Sequence, residues 1–180
     1  LLEVLEDASR RGVSITLLTN SPLSSDNALS QALFVDSWPE LIAHAQTLRV
    51  FVNGARRMQH DDRVVVDDAL TFIGSCNIDP FSLHVNSETL VAIWSPQVAA
   101  QTRQTLLARR DGGEMLEYRV ARDVFGVVRR GVSATPNTGA VVVEFGPAEH
   151  VRAEDLAELR TWKWLLMAHR RLWDFEVVRR

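Results

Sequence analysis

The sequence is poor in several residue types, and each scarcity limits what the protein can be. Cys76 is its single cysteine, so an intrachain disulfide is excluded. No apolar run is long enough to cross a bilayer as a helix. Arginine supplies nearly all of the positive charge, because Lys163 is the only lysine. The net charge of -3 gives no overall basic character, so nucleic acid is not an expected partner.

What remains is the composition of a globular protein, and its pattern predicts an α/β fold. The 180 residues are 46% apolar, enough for a core that needs neither metal nor disulfide. Helical spacing over the first ten residues leads through Gly12 into a buried-strand pattern from Val13 to Thr19. The further predicted elements are a helix interrupted by Pro39, then four strands and another helix: Asn27 to Ala45, Leu48 to Val52, Arg63 to Asp67, Leu70 to Gly74, Glu88 to Trp94 and Pro96 to Arg110.

The pattern changes after the second of these helices. We predict a main domain over residues 1–110 and a C-terminal extension over 111–180. The extension would consist of short strands and a final helix: Leu116 to Val120, Val124 to Val128, Ala140 to Phe145 and Ala153 to Trp173. Trp162 and Trp164 in that helix favour packing on the core, with peripheral contact to an acidic membrane surface as the alternative.

One stretch of the main domain carries a spaced set of polar residues. His60 stands seven positions before Asp67, the run Gly74-Ser75-Cys76-Asn77 follows, and Glu88 ends the segment Asn86-Ser87-Glu88. These spacings resemble the H-x-K-x4-D, G-S-x-N and N-x-E elements of the phospholipase D superfamily. Upstream and downstream segments resemble its cardiolipin synthase-like members: Arg11-Gly12-Val13, Leu18-Thr19-Asn20-Ser21, Ser24-Ser25-Asp26 and Asp79-Pro80-Phe81-Ser82.

The resemblance implies a fold, a reaction and a role for each residue of the motif. The fold would be a mixed β-sheet flanked by helices, in an α/β/α sandwich. The activity would be that of a phosphodiesterase or phosphatidyltransferase on phospholipids, through a phosphohistidine and without metal or organic cofactor. His60 would be the nucleophile or the partner acid, Glu88 would orient it, and Asp67 would complete the catalytic motif by fixing the turn. Ser75 and Asn77 would donate to the phosphate.

The resemblance also implies where such a protein works and what it needs. Members of this kind are expected in the cytoplasm or at the membrane of bacteria. Active members combine two such motifs, because one histidine attacks while the other transfers the proton. This chain holds one, since the other histidines lack companion residues: His44, His84, His150 and His169. The second motif is expected from a missing N-terminal half or from a homodimer partner.

Position 62 departs from the pattern, because aspartate stands where the motif has lysine. In an extended segment residues 60 and 62 share a face, so Asp62 would point a carboxylate at the phosphate position. Arg63 would face the other way. Arg56 or Arg57 is the alternative source of the missing cation. The competing functional hypothesis is therefore a catalytically impaired half with a structural or phosphate- or lipid-binding role.

A metal site is a third possibility, since histidine and carboxylate groups are dense in this stretch. Adjacent carboxylates on a strand alternate between faces and would not converge on one ion, which argues against it. The residues concerned are His60, Asp61, Asp62, Asp67 and Asp68.

Overall fold

A computed structural model describes residues 2–22, 24–25, 31, 41–77, 82, 86–122, 128–135, 139–142 and 153–168, and it has an α/β fold. Its elements, in chain order, are α1 (Leu2–Arg10), β1 (Ile15–Asn20), β2 (Leu48–Asn53), β3 (Arg63–Val66), β4 (Leu70–Gly74), β5 (Leu90–Trp94), α2 (Pro96–Asp111), β6 (Met115–Arg122), β7 (Val128–Thr135), β8 (Gly139–Val142) and α3 (Ala153–Ala168). The described residues divide into two compact units, one from 1–59 together with 113–168 and one from 60–112.

The first unit is built on a five-stranded mixed sheet. Its strand order is β1-β2-β6-β7-β8, with β1 parallel to β2 and the remaining pairs antiparallel. Strand β2, which lies between β1 and β6, is buried on both faces, and Val50 and Val52 are fully enclosed. The core around them consists of apolar side chains: Leu41, Ala45, Leu48, Val50, Val52, Leu116 and Tyr118.

The end of α1 confirms the predicted glycine stop. Gly12 has a φ of 81°, in the left-handed region that favours glycine, and the Val13 N–H returns to the Ala8 carbonyl at 3.0 Å. The bend sends the chain directly into β1.

The second unit is a three-stranded antiparallel sheet, β3-β4-β5, with α2 packed against β3 and β4. Asp67 and Asp68 form a tight turn between β3 and β4, with φ of 51° and 52°. The Ala69 N–H donates to the Val66 carbonyl at 3.1 Å, which closes the turn. Ser95 caps α2 by accepting from the Val98 N–H at 3.4 Å, and Pro96 occupies the first turn, where its missing N–H costs nothing.

The division into units differs from the predicted separate C-terminal extension. Strand β6 pairs with β2, where Val50 lies opposite Tyr118. The chain therefore returns to the first sheet after α2, and β6, β7 and β8 continue that sheet rather than forming a body of their own.

Most predicted elements are present, with small shifts at their ends, and β4 has the predicted bounds. Four predicted elements lie partly outside the described residues: the helix from Asn27 to Ala45, the strand from Val124 to Val128, the strand from Ala140 to Phe145 and the final helix from Ala153 to Trp173. Of the tryptophans in α3, Trp164 is 68% exposed. Among the described helices, none has the length and apolar character needed to span a bilayer.

Candidate functional site

The antiparallel sheet of the second unit brings three separate segments to one end. Arg63 lies opposite Ile73 at the start of β3, and Gly74 lies opposite Leu90 at the start of β5. Two hydrogen bonds extend these ladders: the Gly74 N–H donates to the Asp62 carbonyl at 3.1 Å, and the Ser75 N–H donates to the Thr89 carbonyl at 3.0 Å. Since antiparallel neighbours place a strand start beside a strand end, the segments at His60, Ser75 and Glu88 meet at this edge.

Glu88 is the centre of a hydrogen-bonded group at that edge. The Ser75 hydroxyl donates to one carboxylate oxygen at 2.5 Å, and the Asn86 amide donates to the other at 3.3 Å. The Thr89 N–H in turn donates to the Ser75 hydroxyl oxygen at 3.2 Å. Hydrogen bonds from Ser75, Ser82 and Asn86 lower the pKa of Glu88, because they favour the charged carboxylate.

This group differs from the expected pairing of Glu88 with His60. Among the described residues, no hydrogen bond joins the two side chains, and the carboxylate accepts from Ser75, Ser82 and Asn86 instead. Glu88 therefore holds the Ser75 hydroxyl, which is one of the two predicted phosphate donors.

We predict that Ser75→Ala raises the pKa of Glu88, since it removes the largest cause of the lowering. The hydrogen-bonded group stabilises the fold above the ordinary Glu pKa of 4.5, and this contribution is lost as the pH falls through the lowered value. Carboxyl NMR titration of Glu88 measures the shift directly. Ser87→Ala is the matched control, and an equal Glu88 pKa in both variants would contradict the prediction.

Gly74 allows β4 and β5 to approach closely at this edge. A Cβ atom built on Gly74 would lie 2.1 Å from the Thr89 carbonyl oxygen and 3.0 Å from the Leu90 Cα. Both obstacles are backbone atoms, so a side-chain rotation cannot relieve the contact. The glycine of the G-S-x-N element is therefore required by packing.

We predict that Gly74→Ala destabilises the protein by ~3 kcal/mol, the upper end of the usual cost of overpacking, and separates Ser75 from Glu88. Chemical denaturation measures the first effect, and the Glu88 pKa reports the second. Gly112→Ala is the control, because a Cβ atom at Gly112 would come no closer than 3.2 Å to its nearest neighbour, the Ala108 carbonyl oxygen. Equal stabilities of the two variants would refute the explanation.

The chain segment before His60 is fixed within the first unit. Asn20, the last residue of β1, donates to the Gln59 carbonyl at 2.8 Å and accepts from the Gln59 N–H at 3.0 Å. Asn53, the last residue of β2, binds the loop in the same way, to the Arg57 carbonyl at 2.7 Å and the Ala55 N–H at 2.9 Å. Two strand-end amides thus hold the backbone that leads to His60.

At position 62, where the motif has lysine, the described contacts show how the neighbouring charges are paired. The Asp62 carboxylate, which is half-buried, has no hydrogen-bond or ion-pair partner in the described part of the chain. Arg63 is hydrogen-bonded to Asp61, and Arg109 of α2 donates to the same carboxylate at 2.7 Å. Arg57, one of the suggested alternatives, pairs with Glu114 at 3.6 Å.

The remaining two predicted site residues are Asp67 and Asn77. Asp67 lies in the hairpin turn at the opposite end of β3 from His60, a place that suits the turn-fixing role. Asn77 is exposed and lies beyond the end of β4, three residues after Gly74. Within the described ranges, no three histidine, cysteine or carboxylate side chains are grouped to hold a metal ion.

Sequence reasoning missed three contributors to this edge. Asn86 and Ser82 bind Glu88 and stand in the motif-like segments already noted, so their position was the available signal. For Arg109 the sequence contained no such signal, because its hydrogen bond to Asp61 joins a helix to the start of a strand across 48 positions of the sequence.

Fold and edge together define an α/β protein of the phospholipase D type, with its histidine, serine and glutamate segments on one antiparallel sheet. Residues 1–109 match the family described as cardiolipin synthase, PLD-like domain. The chain belongs to this phospholipase D family, whose members are in general enzymes.

Two curated relatives come from Helicobacter pylori. The protein of strain J99 is 28% identical over 117 residues, and that of strain 26695 is 27% identical over 117 residues. Each match covers 59% of this chain and 23% of the relative, so the chain spans about a quarter of the length of the curated relatives it matches. Both relatives are described only as uncharacterized proteins.

Proposed function

We propose that the chain is the His60-bearing half of a cardiolipin synthase-like phosphodiesterase or phosphatidyltransferase, acting on phospholipids through a phosphohistidine. The observation that carries the proposal is the edge of the β3-β4-β5 sheet, where the His60 segment, Ser75 and Glu88 meet. Family membership supports it as well.

The proposed reaction has two balanced steps. An imidazole nitrogen of His60 attacks phosphorus, the bond from phosphorus to the leaving oxygen breaks, and a second histidine protonates the departing alkoxide. Water or an acceptor alcohol then attacks phosphorus, the second histidine takes up its proton, and the bond to His60 breaks. The second histidine comes from another motif, in a preceding segment or in a second copy of the chain.

Ser75 and Asn77 would stabilise the charge on the phosphoryl oxygens. In the structure the Ser75 hydroxyl donates to Glu88, so it must rotate toward the phosphate when substrate binds. The exposed Asn77 amide needs no such change. No proposed step requires a metal or an organic cofactor.

In the test, the full protein is incubated with vesicles of phosphatidylglycerol in the presence of a chelator and ethanol. Transfer to ethanol gives phosphatidylethanol, hydrolysis gives phosphatidic acid, and transfer to a second lipid gives cardiolipin; each releases glycerol. The proposal expects at least one of these products. If glycerol release stays at the level of vesicles without protein, the proposed activity is rejected.

A second candidate function is a catalytically impaired half that binds phosphate or lipid. Asp62 favours it, because its carboxylate has no counterion among the described contacts and Arg63 is committed to Asp61. Sedimentation with phosphatidylglycerol vesicles without product formation would support this candidate over the first.

A further inference from the structure

Asp61, the residue between the two motif positions 60 and 62, is bound by two arginines. Arg63 on β3 donates to both carboxylate oxygens through Nε and Nη2. Arg109 in the last turn of α2 donates through Nη1 to Oδ2 at 2.7 Å. We call these three residues the Asp61 clamp.

The Asp61 clamp is partly withdrawn from water. The side chains of Asp61, Arg63 and Arg109 are 15%, 25% and 33% exposed, so their attraction is screened less than that of a surface pair. Hydrogen bonds from Arg63, and to a smaller extent from Arg109, lower the pKa of Asp61. The Asp61 carboxyl therefore stays charged at neutral pH. The clamp thus persists at the pH at which the proposed reaction would run.

A second ion pair between α2 and the sheet provides a comparison. Arg103 approaches Asp68, in the hairpin turn, at 3.4 Å, and the two side chains are 57% and 62% exposed. This pair lies at the opposite end of the sheet from His60. Exposed pairs of this kind contribute little to stability.

The clamp acts on the residue adjacent to His60. The backbone of the 60–62 segment has one ladder bond to β4, from Gly74 to Asp62, and it precedes β3 itself. The hydrogen bond from Arg109 to the Asp61 carboxylate ties this segment to α2. A shift of Asp61 would therefore be passed through one peptide unit to His60.

We propose that Arg109 is a positioning residue that holds His60 in place through Asp61. The proposal rests on the proposed function of His60, and it adds a residue from outside the motif to the machinery. Arg109 touches neither substrate nor His60 in this scheme. Its loss should lower kcat, because misplacing a reacting group by about 1 Å costs up to about 100-fold, and should leave KM unchanged.

The experiment compares three variants of the full protein. Arg109→Met removes the cation and keeps an unbranched stem, Arg109→Lys restores a cation, and Arg103→Met removes the comparison pair from the same helix. Lysine should substitute well, since Arg109 uses a single nitrogen toward Asp61. The measurements are kcat and KM on phosphatidylglycerol, the folded fraction by thermal unfolding, and the His60 ring resonances by NMR.

We expect Arg109→Met to lower kcat by about 10- to 100-fold at unchanged KM, Arg109→Lys to recover most of it, and Arg103→Met to match wild type. The His60 resonances should shift in Arg109→Met alone. A loss of kcat that merely follows the folded fraction, or equal effects of the two methionine variants, overturns the proposal. If the wild type itself has no turnover, the proposed function fails, while unshifted His60 resonances in Arg109→Met would still overturn the clamp separately.

Discussion

Replacing His60 with alanine is expected to lower phosphodiester turnover by about 10³-fold or more, because the imidazole acts as nucleophile or as acid and alanine can do neither. The fold should survive, since His60 is exposed and has no hydrogen bond among the described residues. The measurement is the initial rate of glycerol release from phosphatidylglycerol, with circular dichroism to verify folding.

His44→Ala is the matched control. His44 is exposed and faces Glu6 at 3.7 Å in the first unit, so its removal should leave the rate unchanged. Denaturing the enzyme during turnover of labelled lipid distinguishes the two roles of His60. Acid-labile label on the wild type that disappears in His60→Ala identifies the nucleophile. Turnover retained in His60→Ala would remove this residue from the mechanism.

The local parts of the fold could be predicted from the sequence. Strand β4 has the predicted bounds because the Asp67-Asp68 turn precedes it and Gly74 ends it, and both are features of the adjacent sequence. The return of the chain to the first sheet could not be predicted. Val50 and Tyr118 pair across 68 positions, and no local pattern specifies which strand edge a later strand will join.

The candidate site shows the same division between local and long-range information. The spacing singled out His60, Ser75 and Glu88, and the β3-β4-β5 sheet brings the segments that carry them to one edge. The spacing did not predict that Glu88 binds Ser75 rather than His60, since that depends on how β4 and β5 come together beyond Gly74. Hydrogen-bond partners follow from packing, which the spacing of residues does not contain.

The second large effect is expected from Asp62→Lys, which should raise turnover by at least about 100-fold. One unit charge at about 4 Å is worth roughly 4 kcal/mol at an effective dielectric near 20, and each 1.36 kcal/mol of barrier changes the rate about tenfold. Lysine at this position replaces a repulsion of the phosphate by an attraction. Among the described contacts, Arg63 and Arg109 both donate to Asp61, and neither pairs with Asp62.

Two further variants separate the contributions to this gain. Asp62→Asn removes the repulsion alone and should give a smaller increase than lysine. Val64→Lys adds a lysine two residues along the strand, at an exposed position on the same face, and should give none if location matters rather than net charge. If neither the lysine variant nor the asparagine variant is faster than the wild type, another cation already meets the phosphate. In that case the aspartate is a tolerated replacement, and the impaired-half candidate loses the observation that favours it.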